Sequence, residues 1–152
     1  MKITEIVIHC ADTPNGRSFS AKDIDDWHRE RGWTRTNKIF NPQFTSIGYH
    51  FVIKVDGTIE TGRAEDEEGA QALYYNTRSL AICMIGRDKF TKAQWGSLGK
   101  LIWDLRLKYP GHTLLGHRDV APHKTCPGFD VTTYAVDMEP SPEHIFDQPA
   151  VG

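Results

Sequence analysis

Leu80-Ala81-Ile82-Cys83-Met84-Ile85 is the stretch of the sequence that decides the fold. It is a continuous apolar run of strand length without a charged residue. Such a run is typical of a central strand that is covered on both faces of a sheet. We therefore expect a buried strand here, with Cys83 as a residue of the core.

Three further patterns predict strands around this run. Residues 49–53 and 58–61 flank Asp56-Gly57, which is the strongest local hairpin signal of the chain, so they predict two antiparallel strands. Residues 3–10 are rich in Ile and Val and alternate weakly, which predicts another strand. Residues 113–115 predict one more short strand.

Two segments carry helix patterns with a recognisable first residue. Ser20 followed by Asp23 is typical of a helix start, and it predicts a helix over residues 21–31. Thr91-Lys92-Ala93-Gln94 is a capping-box pattern, and the apolar spacing after it predicts the longest helix, over residues 92–108.

The chain length and the C-terminal composition predict one domain and a short tail. A length of 152 residues fits a single domain with a sizeable core. We assign residues 1–136 to this domain. Residues 137–152 are rich in acids and prolines, and we expect them to form a loose tail.

The composition excludes several classes of function. The net charge of −2 offers no basic stripe for nucleic acid. No segment reaches membrane-spanning length, so membrane insertion is not expected, and the N-terminus lacks a signal-peptide pattern. The three cysteines are widely spaced and odd in number, which does not indicate a disulfide framework. We expect synthesis in the cytosol and a monomer as the default state.

His9, His117 and Cys126 are candidate metal ligands. Catalytic zinc is held by three protein ligands of these types, with a fourth position open. His117 and Cys126 lie nine residues apart on one loop, and His9 lies at the end of a predicted strand. The spacing matches no local zinc motif. A structural histidine and a small buried cysteine therefore remain open alternatives, and His123 is a rival ligand.

Several ordered segments carry a resemblance to a known family. They are Val7-Ile8-His9-Cys10, Trp27-His28-Arg29-Glu30-Arg31-Gly32-Trp33, Ile47-Gly48-Tyr49-His50-Phe51-Val52-Ile53, Asp56-Gly57-Thr58-Ile59-Glu60-Thr61-Gly62-Arg63, Tyr75-Asn76, Gly116-His117-Arg118-Asp119-Val120-Ala121-Pro122 and Lys124-Thr125-Cys126-Pro127-Gly128-Phe129-Asp130. In these segments the chain resembles the type-2 N-acetylmuramoyl-L-alanine amidases, which include the peptidoglycan recognition proteins and the T7-type phage lysozymes. The likeness spans residues 6–130.

The resemblance implies an α/β fold with a mixed central sheet, flanking helices and a zinc groove at one end of the sheet. It places the zinc ligands on His9, His117 and Cys126. It also places the catalytic tyrosine on Tyr49 and a catalytic lysine on Lys124. From the residues alone, Tyr49 could equally be a half-buried sheet residue, and Lys124 a solvated loop lysine.

Two departures from the phage enzymes bear on the groove. Where those enzymes carry Gly-x-His, this chain has Gly69-Ala70-Gln71. That histidine usually lines the groove, so we expect an altered substrate contact and intact metal binding. The segment 34–46 is longer than in the T7-type enzymes, has no periodic pattern and is expected to be a surface loop that forms one wall of the groove.

The implied function is zinc-dependent hydrolysis of the amide bond between N-acetylmuramic acid and L-alanine in peptidoglycan. Tyr49 would orient the attacking water or take part in its proton transfer, and Lys124 would face the developing oxyanion. The leading hypothesis is a phage endolysin that is made in the host cytoplasm, acts on the periplasmic wall and lyses the host.

Three other functions are considered beside the endolysin. One is a cytosolic amidase that recycles muropeptides, and another is a peptidoglycan-binding module without activity, against which Cys126 argues. The third is regulatory, because T7-type lysozymes also bind and inhibit their phage RNA polymerase. The segment ahead of the first strand is very short here, which argues against binding of an RNA polymerase.

Overall fold

The computed structural model describes residues 2–147 and contains a five-stranded mixed sheet. Its strands are β1 (Glu5–Cys10), β2 (Phe51–Ile53), β3 (Ile59–Thr61), β4 (Ser79–Met84) and β6 (Thr113–Gly116). The helices are α1 (Ala21–Glu30), α2 (Lys92–Lys108), α3 (His117–Val120) and α4 (Val131–Asp137). A separate parallel pair joins β5 (Phe90–Thr91) and β7 (Ile145–Phe146). The predicted α/β class with a mixed central sheet is confirmed.

Strands β4 and β1 occupy the interior of the sheet, whose order is β3-β2-β4-β1-β6. β4 pairs in parallel with β1 and β2, and β1 pairs in parallel with β6. β2 and β3 form the predicted antiparallel hairpin around Asp56-Gly57. Every residue of β4 is buried, and Cys83 is fully buried. The predictions of a covered central strand and of a core Cys83 are therefore confirmed.

Side chains of β4 face two apolar clusters, one on each face of the sheet, and β1 contributes to one of them. Ile8 and Ile82 face one cluster, where they join Leu98 and Ile102 of α2. Cys83 faces the opposite cluster, which includes Ile24 of α1. Burying an aliphatic side chain of this size contributes about 1.5–3 kcal/mol to folding. Pairing with β4 and the packing of Ile8 hold the C-terminal end of β1 in place, and that end carries His9.

Both predicted helices begin at the residues that their caps indicate. The Ser20 hydroxyl accepts a hydrogen bond from the Asp23 N–H, and α1 starts at Ala21. The Thr91 hydroxyl accepts from the Gln94 N–H at 3.1 Å, while the Gln94 amide oxygen accepts from the Thr91 N–H at 2.9 Å. Within residues 2–147, no helix is both long and apolar enough to cross a membrane.

Part of the predicted tail is docked on the domain, which corrects the expectation of a loose segment over residues 137–152. β7 pairs with β5, and the Trp95 indole N–H donates to the His144 carbonyl oxygen at 3.0 Å. These contacts tie residues 144–146 to the start of α2. Residues 148–152 lie outside the described part of the chain, and a domain boundary at residue 136 stays a prediction.

The long loop is organised around the buried guanidinium of Arg35, and no residue of 32–46 lies in a helix or strand. Two of the Arg35 N–H groups donate to the Glu67 carboxylate at 3.0 and 2.8 Å. Burial alone would raise the pKa of Glu67, but hydrogen bonds from Arg35 and from the Ala64 N–H lower it. The other donors of Arg35 reach the carbonyl oxygens of Phe40, Asn41 and Phe44.

Replacing Arg35 with methionine should destabilise the protein strongly. The substitution leaves the buried Glu67 carboxylate without its main partner, and breaking a buried pair in this way costs about 3–5 kcal/mol. Chemical denaturation measures the loss. The control is Lys22→Met, because Lys22 pairs with Asp26 on the surface, where the loss of an ion pair changes stability little. Equal losses in both variants would contradict this account of the loop.

Candidate metal centre

The sheet register places His9 and His117 side by side. β6 ends at Gly116, which lies opposite Ile8 of β1, and the next residue of each strand is a histidine. The imidazole centroids of His9 and His117 are 4.4 Å apart. His9 is almost fully buried, whereas His117, the first residue of α3, is half-buried. Two candidate ligands thus meet at the carboxyl edge of neighbouring parallel strands.

Cys126 reaches the same place on the loop that follows α3. The Cys10 backbone N–H donates to Cys126 Sγ at 3.0 Å, and the Arg118 N–H donates to the Cys126 carbonyl oxygen at 2.8 Å. One ligand atom from each of His9, His117 and Cys126 lies within 4.8 Å of the other two.

This donor set fits zinc. Two imidazoles and a thiolate are ligands that zinc prefers, at distances of about 2.0–2.3 Å. The three donor atoms lie within 4.8 Å of one another, so a zinc ion would draw them closer together by side-chain movement. The rival ligand His123 lies in the adjacent groove and is outside this cluster.

The lowered pKa values of the two imidazoles favour binding of a metal ion over binding of a proton. Burial and, to a smaller extent, the neighbouring His117 lower the pKa of His9 to about 3. Burial also lowers the pKa of His117, with smaller contributions from Lys124 and His123. The contact with the Cys10 thiol and burial raise the pKa of Cys126. Both imidazoles are therefore neutral near pH 7, and a metal would displace one proton from the thiol.

Tyr49 and Lys124 flank the cluster. The Tyr49 ring centroid lies 5.0 Å from that of His9, and Tyr49 precedes β2, so the predicted strand begins later than expected. Burial raises the pKa of Tyr49 well above its usual value, which keeps the phenol protonated as a hydrogen-bond donor. Lys124 is exposed at the groove, and its positive charge contributes to lowering the pKa of His117.

An open groove of about 490 Å³ runs past the cluster. Its lining residues include Arg31, Trp33, Gln71, Leu73, His117 and Lys124. Two cationic side chains, Arg31 and Lys124, thus line the groove, which suits a substrate that carries carboxylates.

Gln71 makes a contact with His9 that the sequence did not predict. Its amide oxygen lies 2.5 Å from Nε2 of His9. We expected this position to alter only a substrate contact, and the residue does line the groove. The signal available in the sequence was the replacement of a histidine by another residue with a hydrogen-bonding side chain.

His28 and His50 have structural roles. His28 Nδ1 accepts from the Gly48 N–H at 2.9 Å. His50 Nδ1 accepts from the Ala81 N–H at 3.0 Å, and its Nε2 lies 2.7 Å from the Glu67 carbonyl oxygen. The His28 ring therefore ties the segment before β2 to α1, and the His50 ring ties the loop at Glu67 to β4.

Stability of the zinc-free protein should fall as the pH falls from 6.5 to 4. Burial, followed by the charge of Arg31, lowers the pKa of His28 to about 4, whereas the unfolded chain binds the proton near pH 6.5. The unfolded state then holds more protons across that window, which costs at most about 3 kcal/mol at this site. Urea unfolding at several pH values with a chelator measures the loss, which should shrink in His28→Gln. A flat profile would contradict this protonation pattern.

The comparisons with known proteins give one family and several relatives. The sequence profile of the N-acetylmuramoyl-L-alanine amidases matches residues 1–129 of this chain. The endolysin of Escherichia phage T7 is 40% identical over 134 residues, which are 83% of this chain and 81% of the endolysin.

Solved structures share the fold. N-acetylmuramoyl-L-alanine amidase LysC from Clostridium intestinale has a TM-score of 0.73 and 32% identity, and the match covers 89% of this chain and 83% of LysC. A mutant of Drosophila PGRP-LB in complex with tracheal cytotoxin has a TM-score of 0.72 and 28% identity, covering 96% of this chain and 85% of that one. Residues 1–129, which the family profile matches, include nearly all of the segments that carry the resemblance.

Proposed function

The chain belongs to the N-acetylmuramoyl-L-alanine amidase family, and from this premise we propose that it cleaves peptidoglycan in a zinc-dependent reaction. The bond is the amide that joins N-acetylmuramic acid to L-alanine. The family resemblance and the assignment as an amidase are confirmed by the matched residues 1–129 and by the phage endolysin relatives. The observation that carries the zinc dependence is the cluster of His9, His117 and Cys126 beside the groove.

His9, His117 and Cys126 would hold the zinc ion. When bound, zinc supplies a Lewis acid that polarises an amide carbonyl and makes water acidic enough to attack near neutral pH. The chain holds both imidazoles neutral, and the Cys10 N–H points at Cys126 Sγ, where it would stabilise a thiolate. Three protein ligands would leave the ion accessible to water and substrate.

Tyr49 orients the attacking water in this proposal. The phenol remains protonated, because burial raises its pKa, and its ring packs 5.0 Å from the His9 ring. A phenol whose ring packs against that of a ligand can align a water molecule through its O–H without ionising itself. Its position just before β2 makes it rigid, because the Arg63 N–H donates to the Tyr49 carbonyl oxygen at 2.9 Å.

Lys124 stabilises the oxyanion that develops on the substrate carbonyl. Its side chain lines the groove together with His117 and is exposed to an approaching substrate. Its loop is held by the Lys124 N–H, which donates to the Ala121 carbonyl oxygen at 2.8 Å. A positive charge in a fixed place stabilises the transition state more than the neutral amide.

The biological role that we propose is that of a phage endolysin. The relative from phage T7 carries that name, and the similarity extends over most of both chains. Synthesis in the host cytoplasm, action on the periplasmic wall and lysis of the host belong to this proposal. Inhibition of a phage RNA polymerase and a monomeric state stay predictions of the resemblance and of the chain length.

Digestion of purified peptidoglycan sacculi, with and without a chelator, tests the function. We expect new free amino groups on L-alanine, identified by mass, in the untreated protein. The chelator should remove this activity, and added zinc should restore it. New reducing sugar ends would instead indicate a glycosidase and contradict the proposal.

Two other outcomes of the same digestion identify the rival functions. Faster cleavage of soluble muropeptides than of sacculi would favour a recycling amidase over an endolysin. Stoichiometric zinc without any released peptide would favour a binding module.

A further inference from the structure

The buried amide of Gln71 connects the candidate ligand His9 to strand β4. Gln71 Oε1 lies 2.5 Å from His9 Nε2, and Gln71 Nε2 lies 2.7 Å from the Ser79 hydroxyl. The Ser79 hydroxyl in turn lies 2.7 Å from the Tyr75 carbonyl oxygen. Gln71 is 9% exposed, whereas His9 and Ser79 are 1% and 0% exposed. Water has little access to this row of polar groups.

The backbone carbonyl at the end of the row fixes the direction of every hydrogen bond. A carbonyl oxygen only accepts, so the Ser79 hydroxyl must donate its proton to Tyr75. The lone pairs of that hydroxyl then accept from the amide N–H₂ of Gln71. The amide oxygen consequently faces His9.

The orientation of the amide determines the tautomer of His9. An amide oxygen cannot donate, so the Nε2 atom of His9 must carry the proton. In a neutral imidazole the other nitrogen, Nδ1, then holds a free lone pair. The row therefore leaves one nitrogen of His9 able to bind a metal.

The turn that carries Gln71 is held independently of the metal cluster. Asn76 Oδ1 accepts from the backbone N–H groups of Gln71 and Ala72 at 2.9 and 3.0 Å. Ser79 is the first residue of β4 and lies opposite Glu5 of β1 in the sheet. The two anchors of the row are thus a capped turn and the central pair of strands, which hold the amide in place before a metal arrives.

We propose that Gln71 is a positioning residue, which holds His9 in the Nε2–H tautomer and in the ring orientation that zinc binding requires. This inference rests on the zinc site of the proposed function. Partners of metal-bound histidines orient the ring and raise its basicity, and their loss typically lowers metal affinity 10–100-fold. Gln71 is thus linked to metal affinity in addition to any contact with the substrate.

Zinc affinity of Gln71→Leu tests the proposal. Leucine fills a similar volume but cannot accept a hydrogen bond from His9. We expect zinc affinity, measured by competition with a chromophoric chelator, to fall about 10–100-fold. Gln71→Glu keeps an acceptor next to His9 and should recover most of that loss.

The matched control is Gln94→Leu. Gln94 is also a fully buried glutamine, but its amide N–H₂ donates to the Ile53 and Ile85 carbonyl oxygens at 3.2 and 2.8 Å. This substitution removes a buried amide without touching His9, so folded Gln94→Leu should bind zinc as tightly as the wild type. Equal affinity of Gln71→Leu and wild type, or an equal loss in Gln94→Leu, would overturn the proposal.

The tautomer itself can be read in the unchanged protein. Long-range ¹⁵N NMR of the zinc-loaded wild type should show His9 protonated at Nε2. A proton on Nδ1 would overturn the proposal even if the Gln71 variants fail to fold. Wild-type protein that binds no zinc would defeat the proposed function as well. Stoichiometric zinc with unchanged affinity in Gln71→Leu would defeat this inference alone.

Discussion

Cys126→Ala should lose zinc and hydrolysis together. Cys126 supplies the single sulfur donor of the cluster, and alanine has no atom that can replace it. Zinc content should fall from about one ion per chain to near zero, because a catalytic site has three protein ligands. A Lewis acid contributes several kcal/mol to amide hydrolysis, so the rate should fall about 1000-fold or more. Zinc content and the release of new L-alanine amino groups measure the two effects.

Cys83→Ala is the control for the loss of a buried thiol. Cys83 is fully buried in β4 and lies outside the metal cluster, so this variant should keep its zinc. The zinc-free Cys126→Ala protein should also be less stable than zinc-loaded wild type, since a metal that binds only the folded state stabilises it. Wild-type zinc content in Cys126→Ala would remove this residue from the ligand set.

Tyr49→Phe and Lys124→Ala should each keep zinc but slow hydrolysis by about two orders of magnitude or more. Tyr49→Phe removes only the phenolic O–H, and Lys124→Ala removes the positive charge at the groove. Losses of this size are typical of acid–base groups and of oxyanion donors. Turnover of a soluble muropeptide and zinc content, measured on the same preparations, separate the two effects.

Two surface variants serve as controls for these substitutions. Tyr109→Phe removes a phenolic O–H that donates to Glu65 at 2.8 Å, and Lys89→Ala removes an exposed lysine from a turn. Both should leave the rate unchanged. Near-normal turnover of Tyr49→Phe or Lys124→Ala would show that the affected residue has no part in the reaction.

The elements that the sequence predicted correctly are those in which a local sequence pattern matches the environment of the element in the folded protein. The apolar run at 80–85 became the covered strand β4, because its alternating side chains are buried against helices on both faces. The capping-box pattern at Thr91 gave the first residue of α2. Asp56-Gly57 gave the hairpin.

Other elements depend on contacts that no local pattern reveals. β5 and β7 are two residues each and pair across more than fifty positions of sequence, so their formation follows from tertiary packing. The short helices α3 and α4 were hidden in segments rich in His, Pro and Thr. Their apolar spacing is too brief to show a period.

The candidate site was predictable in its residues but not in its connections. The ordered family motifs indicated His9, His117 and Cys126, and the structure brings the three together. The role of Gln71 was not predictable, because it depends on a row of hydrogen bonds whose directions are fixed by the Tyr75 carbonyl group. Such a row joins residues that are adjacent only in the folded chain.

X-ray absorption at the zinc edge of the purified protein tests the central claim most directly. We predict one sulfur ligand at about 2.3 Å and two imidazole nitrogens at about 2.0–2.1 Å, with a lighter atom in the fourth position. The sulfur signal should disappear in Cys126→Ala and persist in Cys83→Ala. A spectrum of the wild-type protein without sulfur, or with two sulfur ligands, would contradict the ligand set of His9, His117 and Cys126.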